Sequence, residues 1–287
     1  MTPATIAILC NPFAGAGRSS GIASKLADHL KQHQIPYFLF NEKWPDDLIS
    51  FTEAWIVGGD GTIHYFVNKF PDISIPLVFF GGGTGNDLHL LLYGKISTEQ
   101  QLEKMEQAPT RKIDLATCNE KYFINCIGIG FEGAVARDMV GKIKRPGKTS
   151  YLIAILKRLF FYSSRRYQTS SDELKTNRHY MIINVANGQS TGGGFHIAPA
   201  AAIDDGLLDV VLVNKLHPLL RLRYLPVIEK GKHLGLPIVR HYKTQKILIE
   251  SEHEMLAHLD GEIYTSNKFT IGILPGQLSI KIGRAHV

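Results

Sequence analysis

Apolar residues in the first 114 positions come in short continuous runs: Ile6-Ala7-Ile8-Leu9, Pro36–Phe40, Ala54-Trp55-Ile56-Val57 and Ile75–Phe80. Runs of this length without strict alternation are the signature of strands buried on both faces. Between them the spacing changes to that of a helix. Ile22, Leu26 and Leu30 recur through Ser20–His33, and Ile63–Lys69 forms a shorter helical stretch. Strand and helix therefore alternate, which predicts a parallel sheet layered with helices. From about residue 115 the pattern shifts to short β-rich runs: Tyr122–Cys126, Tyr180–Ala186, Leu208–Val213, Lys246–Ile249 and Phe269–Ile273. Turns rich in Gly, Asn and Asp separate them, as in an antiparallel sandwich. Two helices are expected to interrupt it, near Thr149–Tyr162 and Pro218–His233. The expected domains are 1–114 (α/β) and 115–273 (β-rich).

Composition adds bounds. With 287 residues, 44% hydrophobic and 20% charged, the chain suits a soluble globular protein of one large or two ordinary domains. No apolar run approaches the ~18 residues of a membrane span. The first strand-like run starts at Ile6, which leaves no room for a signal peptide. Cys10, Cys118 and Cys126 lack metal-site spacing and sit in apolar contexts, so they read as buried thiols of a cytoplasmic protein. Charge is uneven: residues 1–114 hold 9 Lys+Arg against 12 Asp+Glu, and the remainder 23 against 14. The basic second part suggests an anionic partner, a membrane surface or nucleic acid, beside the plain reading of a solvated face. The last residues, Ile282–Val287, look like a translated sequencing adapter and are expected not to be native.

Candidate chemistry gathers at the turns. Gly58-Gly59-Asp60-Gly61-Thr62 follows the third strand, where bare N–H groups, a carboxylate and a hydroxyl suit a polyphosphate and its metal. Asn11–Arg18 joins the first strand to the first helix, and Gly82-Gly83-Thr84-Gly85-Asn86-Asp87 follows the fourth strand. In a parallel sheet these turns lie at the carboxyl ends of the strands, where ligands bind. Asp204–Asp209 places carboxylates at a turn that suits Mg²⁺ or Ca²⁺. Asp260-Gly261-Glu262 offers a carboxylate able to take a proton from a hydroxyl. Each also suits an ordinary turn or cap.

Taken in order, these motifs with Lys112-Ile113-Asp114-Leu115, Asn125–Phe131 and Ala186-Asn187-Gly188 resemble the diacylglycerol kinase catalytic domain family, especially its soluble bacterial lipid kinases. The likeness runs from Asn11 to Glu262. Sphingosine and ceramide kinases share the superfamily, and NAD kinases share the Gly-Gly-Asp-Gly-Thr element. The resemblance implies an α/β nucleotide-binding domain and a β-sandwich domain with the active site in the cleft between them. It also implies that a C-terminal strand, about 274–282, returns to the first domain. The implied nucleotide set is Asn11, Gly15, Arg18, Gly58, Gly59, Gly61, Thr62, Gly83, Thr84, Asn86, Asp87 and Asp114. Asp60 would organise Mg²⁺ and phosphates, and Glu262 would be the general base. Asp205 with the Leu207 carbonyl would hold a structural Mg²⁺.

The implied reaction is ATP- and Mg²⁺-dependent phosphorylation of diacylglycerol or a related lipid, in phospholipid metabolism at the inner membrane surface. An NAD kinase-like enzyme and a catalytically weak nucleotide- or lipid-binding regulator are the alternatives. One position departs from the family pattern: Leu90 stands where an arginine is usual, and Arg18 is a candidate replacement. Expected partners are the lipid, an anionic membrane and a second copy of the chain, with no nucleic acid. The membrane contact is expected at Lys142, Lys144, Arg145, Lys148, Lys157–Tyr162 and Arg165-Arg166-Tyr167, where cations flank aromatics.

Overall fold

A computed structural model describes residues 5–105, 108–141 and 149–282. Lys142, Lys144, Arg145 and Lys148, and residues 283–287 of the suspected tail, lie outside the described residues. The chain forms two compact units. One comprises Met1–Ile113 and Gly276–Val287, the other Asp114–Pro275.

The first unit runs β1 (Ile6–Cys10), α1 (Arg18–Gln32), β2 (Tyr37–Phe40), β3 (Glu53–Gly58), α2 (Asp60–Lys69), β4 (Leu77–Gly81), α3 (Asp87–Tyr93) and α4 (Thr98–Met105). β2, β1, β3 and β4 pair side by side, all parallel. The chain's final strand adds on beyond β4, with Ile280 opposite Leu77. Ile6, Ile8 and Cys10 point to one face, packed with Leu26 and Leu30 of α1 and Leu102 of α4. The intervening Ala7 and Leu9 are equally buried, so β1 is covered on both sides, as its unalternating run requires, whereas the edge strand β2 leaves Phe38 and Leu39 exposed.

α2 begins earlier than the periodicity suggests, at Asp60 rather than Ile63. Gly59 is extended, and its carbonyl accepts both the Thr62 N–H (2.9 Å) and the Ile63 N–H (3.1 Å). That starts the helix at Asp60 and puts its carboxylate on the first turn.

The second unit follows with β5 (Thr110–Cys118), β6 (Lys121–Phe123), β7 (Cys126–Gly130), α5 (Phe131–Met139), α6 (Thr149–Phe161), β8 (Arg165–Ser170), β9 (Lys175–Ala186), β10 (Leu208–Asn214), α7 (Pro218–Glu229), β11 (Val239–Thr244), β12 (Lys246–Leu259) and β13 (Glu262–Lys281). Pairings here are antiparallel: β11–β10–β9–β7–β12–β13, with β8 bridging β9 and β12. Alternation sorts the side chains into two cores. Ile183, Val185, Val210 and Leu212 face an interior shared with Ile127, Ile249 and Phe269. Ile182, Ala186, Val211 and Val213 face outward, beneath α5, α6 and α7.

The expected strand Tyr122–Cys126 is in fact two, β6 and β7. Ile124 and Asn125 leave the ladder because their N–H groups bond to the Asp260 carboxylate instead. α5 carries no signal in the sequence reading, which found only two helices in this half.

Candidate functional site

In the first unit three loops meet at the carboxyl ends of β1, β3 and β4. The Asn11 side chain donates to the Thr62 hydroxyl (3.1 Å), joining the first loop to the second. Its own oxygen accepts the Phe13 N–H (3.1 Å), which folds the first loop back. The Gly82 N–H donates to the Gly58 carbonyl (2.8 Å), joining third to second.

The glycines are required by this crowding rather than by flexibility. Gly15 is left-handed (φ 60°), and a Cβ there would land on the Gly82 carbonyl oxygen. A Cβ on Gly59 would stand 2.9 Å from the Gly83 Cα, closer than real Cβ atoms come to a neighbour. The result is a polar floor of backbone with few side chains, the surface on which phosphates bind.

Asn86 shapes the third loop. It adopts φ 58°, its Oδ1 accepts the Gly83 N–H (2.8 Å), and its Nδ2 donates to the Gly83 carbonyl (3.1 Å). Asp60 reaches across from α2 to the start of α3, where its two oxygens accept the Asp87 and Leu88 N–H groups, each at 3.2 Å. Asp87 is buried on the first turn of α3 and Thr62 is buried on α2. Gly58 ends β3, Gly61 lies in the first turn of α2, and Thr84 lies in the third loop. Arg18 opens α1 with an exposed side chain, and Leu90 is exposed on α3.

Behind α3, His89 Nε2 meets Gln101 Oε1 at 2.9 Å, and Gln101 Nε2 donates to the Phe79 carbonyl (2.9 Å). Burial holds the His89 pKa below its ordinary value, against the opposing pull of Gln101 and Asp60. Neither His89 nor Gln101 was marked by the sequence, since neither belongs to a turn motif.

The second unit positions the remaining carboxylates. Asp114 is buried and its Oδ2 accepts the Gly206 N–H at 2.7 Å. Its own N–H goes to the Ile203 carbonyl (2.8 Å), and Asn187 Nδ2 donates to its carbonyl (3.2 Å). Asp114 is thus tied to the 203–206 turn of its own unit. In that turn Asp205 Oδ1 accepts the Leu207 N–H (3.0 Å) and Oδ2 takes the Lys243 ammonium (2.6 Å). The same ammonium stands 3.4 Å from Asp209, which is fully buried and also meets His241 at 2.5 Å. The hydrogen bond to Asp205 raises the Lys243 pKa.

Asp260 and Gly261 form the turn between β12 and β13 with φ of 48° and 95°, the dihedral signature of a tight hairpin. The Asp260 carboxylate accepts three backbone N–H groups, from Ile124 (2.8 Å), Asn125 (2.9 Å) and Cys126 (3.0 Å). Glu262 follows with an exposed side chain. Sequence reading took Asp260 for a turn residue and missed its anchoring role; the Asp-Gly pair was the available signal. It also missed a buried polar group on α5, β9 and β12. There Asn184 Nδ2 donates to Glu132 (2.8 Å), and His258 Nε2 lies 3.4 Å from the same carboxylate.

Among the described residues no group of three or more His, Cys, Asp or Glu side chains is placed to hold a metal ion. Mg²⁺ is commonly held by one or two carboxylates together with substrate phosphates and water. Asp60, beside the glycine loops, fits that pattern. Asp205 fits it less well, because a divalent ion there has to displace the Lys243 ammonium.

The profile of the family described as "Diacylglycerol kinase catalytic domain" matches residues 5–118. That of the "YegS C-terminal NAD kinase beta sandwich-like domain" matches residues 125–282. Among curated relatives, a Serratia proteamaculans protein named "Probable lipid kinase YegS-like" is 28% identical over 233 residues, covering 78% of this chain and 74% of that one. A protein of the same name from Chromohalobacter salexigens is 26% identical over 234 residues, covering 78% and 73%. A crystal structure of a diacylglycerol kinase from Bacillus anthracis superposes with a TM-score of 0.77 at 24% identity, covering 99% of this chain and 98% of that one. This last likeness bears on the fold alone.

Proposed function

The chain belongs to the family that joins a diacylglycerol kinase catalytic domain to a YegS-type β-sandwich-like domain, and on that premise we propose that this kinase transfers the γ-phosphate of ATP to the hydroxyl of diacylglycerol or a related lipid. The lipid is suggested by the names of the relatives. The observation that carries the nucleotide half is the meeting of three glycine loops around Asn11, Gly59, Thr62 and Gly83.

Phosphoryl transfer asks for positioning and charge neutralisation more than covalent chemistry. The glycine-rich segments Gly58–Thr62 and Gly83–Asn86 would lie against the phosphates, and Asn11 and Asn86 keep the loops in register. Asp60 would hold Mg²⁺, which when bound would supply charge neutralisation on the phosphates. Glu262, on the exposed turn of the second unit, takes the proton of the lipid hydroxyl.

Labelled ATP offered with a panel of extracted lipids, and with NAD, tests the proposal. A labelled phospholipid is the expected product, and Glu262→Gln should lower its formation by about 10²–10⁴-fold while leaving the melting temperature unchanged. Labelled NADP instead would favour the second reading, an NAD kinase-like enzyme, which the description of the C-terminal domain supports. ATP binding without any product would point to a regulator.

A further inference from the structure

Exposed large apolar side chains are not scattered evenly over the described residues. Seven of the fifteen lie on α6 and α7 of the second unit, among them Ile153, Leu156, Phe160 and Phe161 on α6 and Leu219 on α7. Phe161 is 87% exposed and Leu219 67%. A cluster of this kind, rather than isolated residues, marks an interaction surface.

The two helices are held as one surface. Buried Arg221 of α7 donates through Nη1 to the carbonyls of Leu159 (2.7 Å) and Tyr162 (2.9 Å) at the end of α6. Its Nε donates to the Leu216 carbonyl (3.0 Å). Arg221 therefore acts as a staple across helix ends. The inner sides of the same helices are apolar too: Ile155 and Leu159 of α6, and Tyr224, Leu225 and Ile228 of α7, line an apolar pocket over the sheet. A helix apolar on both sides is satisfied only if something covers the outer one.

The charged side chains on and flanking the two helices are mostly cationic. Lys157 on α6, Arg165 and Arg166 just beyond it, Lys215 before α7 and Arg223 on it are all exposed. α6 has no acidic residue, and the acidic residue of α7 is its last, Glu229. Arg158 is the exception, since Asp138 neutralises it with a bidentate pair at 2.5 and 2.7 Å.

We propose that α6 and α7 form a docking surface for an anionic lipid bilayer, with Phe160, Phe161 and Leu219 entering the interface and Lys157, Arg165, Arg166 and Arg223 meeting the headgroups. Apolar side chains flanked by cations are the composition that binds such an interface. A second copy of this chain is the poorer occupant, because self-pairing of the patch sets cation against cation. No described helix is long and apolar enough to cross the membrane, so the contact is peripheral. This inference goes beyond the assigned reaction and rests on the second unit alone.

The test is sedimentation of the full chain with phosphatidylcholine vesicles, plain or carrying anionic phosphatidylglycerol. Binding should rise with the anionic lipid and fall as salt shortens the Debye length. Arg165→Glu with Arg166→Glu should weaken binding to anionic vesicles by about tenfold or more. Phe161→Ser with Leu219→Ser should weaken it by about tenfold, while both pairs keep the wild-type melting temperature because the sites are exposed. Asp60→Asn should bind vesicles like the wild type, which separates this surface from the reaction. Equal binding to neutral vesicles, or wild-type binding by both double variants, would overturn the proposal. So would a dimer in sedimentation velocity that those variants dissolve.

Discussion

Asp60 and Asp260 each stand before a glycine, and each gathers backbone N–H groups across a loop, yet they are held very differently. Asp60 in the first unit accepts the Asp87 and Leu88 N–H groups, both at 3.2 Å. Asp260 in the second accepts three, between 2.8 and 3.0 Å. A carboxylate offers about four lone-pair positions, so Asp260 is close to saturated by the protein. The two backbone bonds to Asp60 are longer and weaker than those to Asp260. The difference teaches that the same Asp-Gly signal builds a tightly bonded rivet in one unit and a carboxylate with longer backbone bonds in the other.

Substituting the two residues gives the largest and cleanest contrast. Asp60→Asn should lower lipid-dependent turnover by about 10²–10⁴-fold with a denaturation midpoint near wild type. Asp260→Ala should instead destabilise the protein by roughly 3–5 kcal/mol, since it orphans three backbone donors. Urea denaturation beside steady-state kinetics measures both. A folded, stable but inactive Asp260→Ala, or an unfolded Asp60→Asn, would erase the contrast.

Two glycines sharpen it at smaller scale. At Gly83 a Cβ would strike the Gly59 Cα, so Gly83→Ala should cost about 1–3 kcal/mol by overpacking and weaken ATP binding in calorimetry. At Gly261 nothing lies within 4 Å, but φ is 95°. Gly261→Ala should cost only about 1–2 kcal/mol through left-handed strain and leave ATP binding alone. Equal losses of ATP affinity would mean that the crowding at Gly83 is incidental.

The smallest effect is acid sensitivity shared by both units. Burial lowers the pKa of His89 in the first and of His233 in the second from the ordinary 6.5. A neutral, buried histidine with a depressed folded pKa keeps its full contribution above about 6.5, and that contribution is lost as pH falls below it. Stability should therefore decline as pH drops through 6. His89→Gln should flatten part of that decline in melting curves taken from pH 7 to 5; an unchanged slope would assign the decline to other groups.

Much of the fold is legible in sequence because period and burial agree. The continuous runs around Ile8 and Ile56 are strands covered on both faces, and the nearly continuous apolar run Leu208–Val213 is a strand with a core on each side. The break at Ile124-Asn125 was not legible, since it depends on Asp260, some 135 residues away, outcompeting the strand ladder for N–H groups. The start of α2 was missed because a hydrophobic pattern cannot register a polar first turn. Local turn chemistry marked Asn11, Asp60, Thr62 and Asn86 as site candidates. It could not separate Asp205, which pairs with Lys243, from a carboxylate waiting for a metal. His89, Gln101 and Glu132 were invisible because only tertiary packing brings them to their partners.

The return of the last strand has a consequence for how the protein is made. β4 gains its outer neighbour only when Ile280 arrives opposite Leu77. The same segment supplies the Lys281 carbonyl to the Tyr93 hydroxyl (3.3 Å) and the Ile282 N–H to the Pro109 carbonyl (3.1 Å). On the ribosome the first unit must wait with an open sheet edge while all of Asp114–Pro275 emerges, on the order of ten seconds at ordinary synthesis rates. An unpaired edge of buried-type residues invites wrong partners. A chain that stops before Gly276 leaves that edge of β4 without its neighbour.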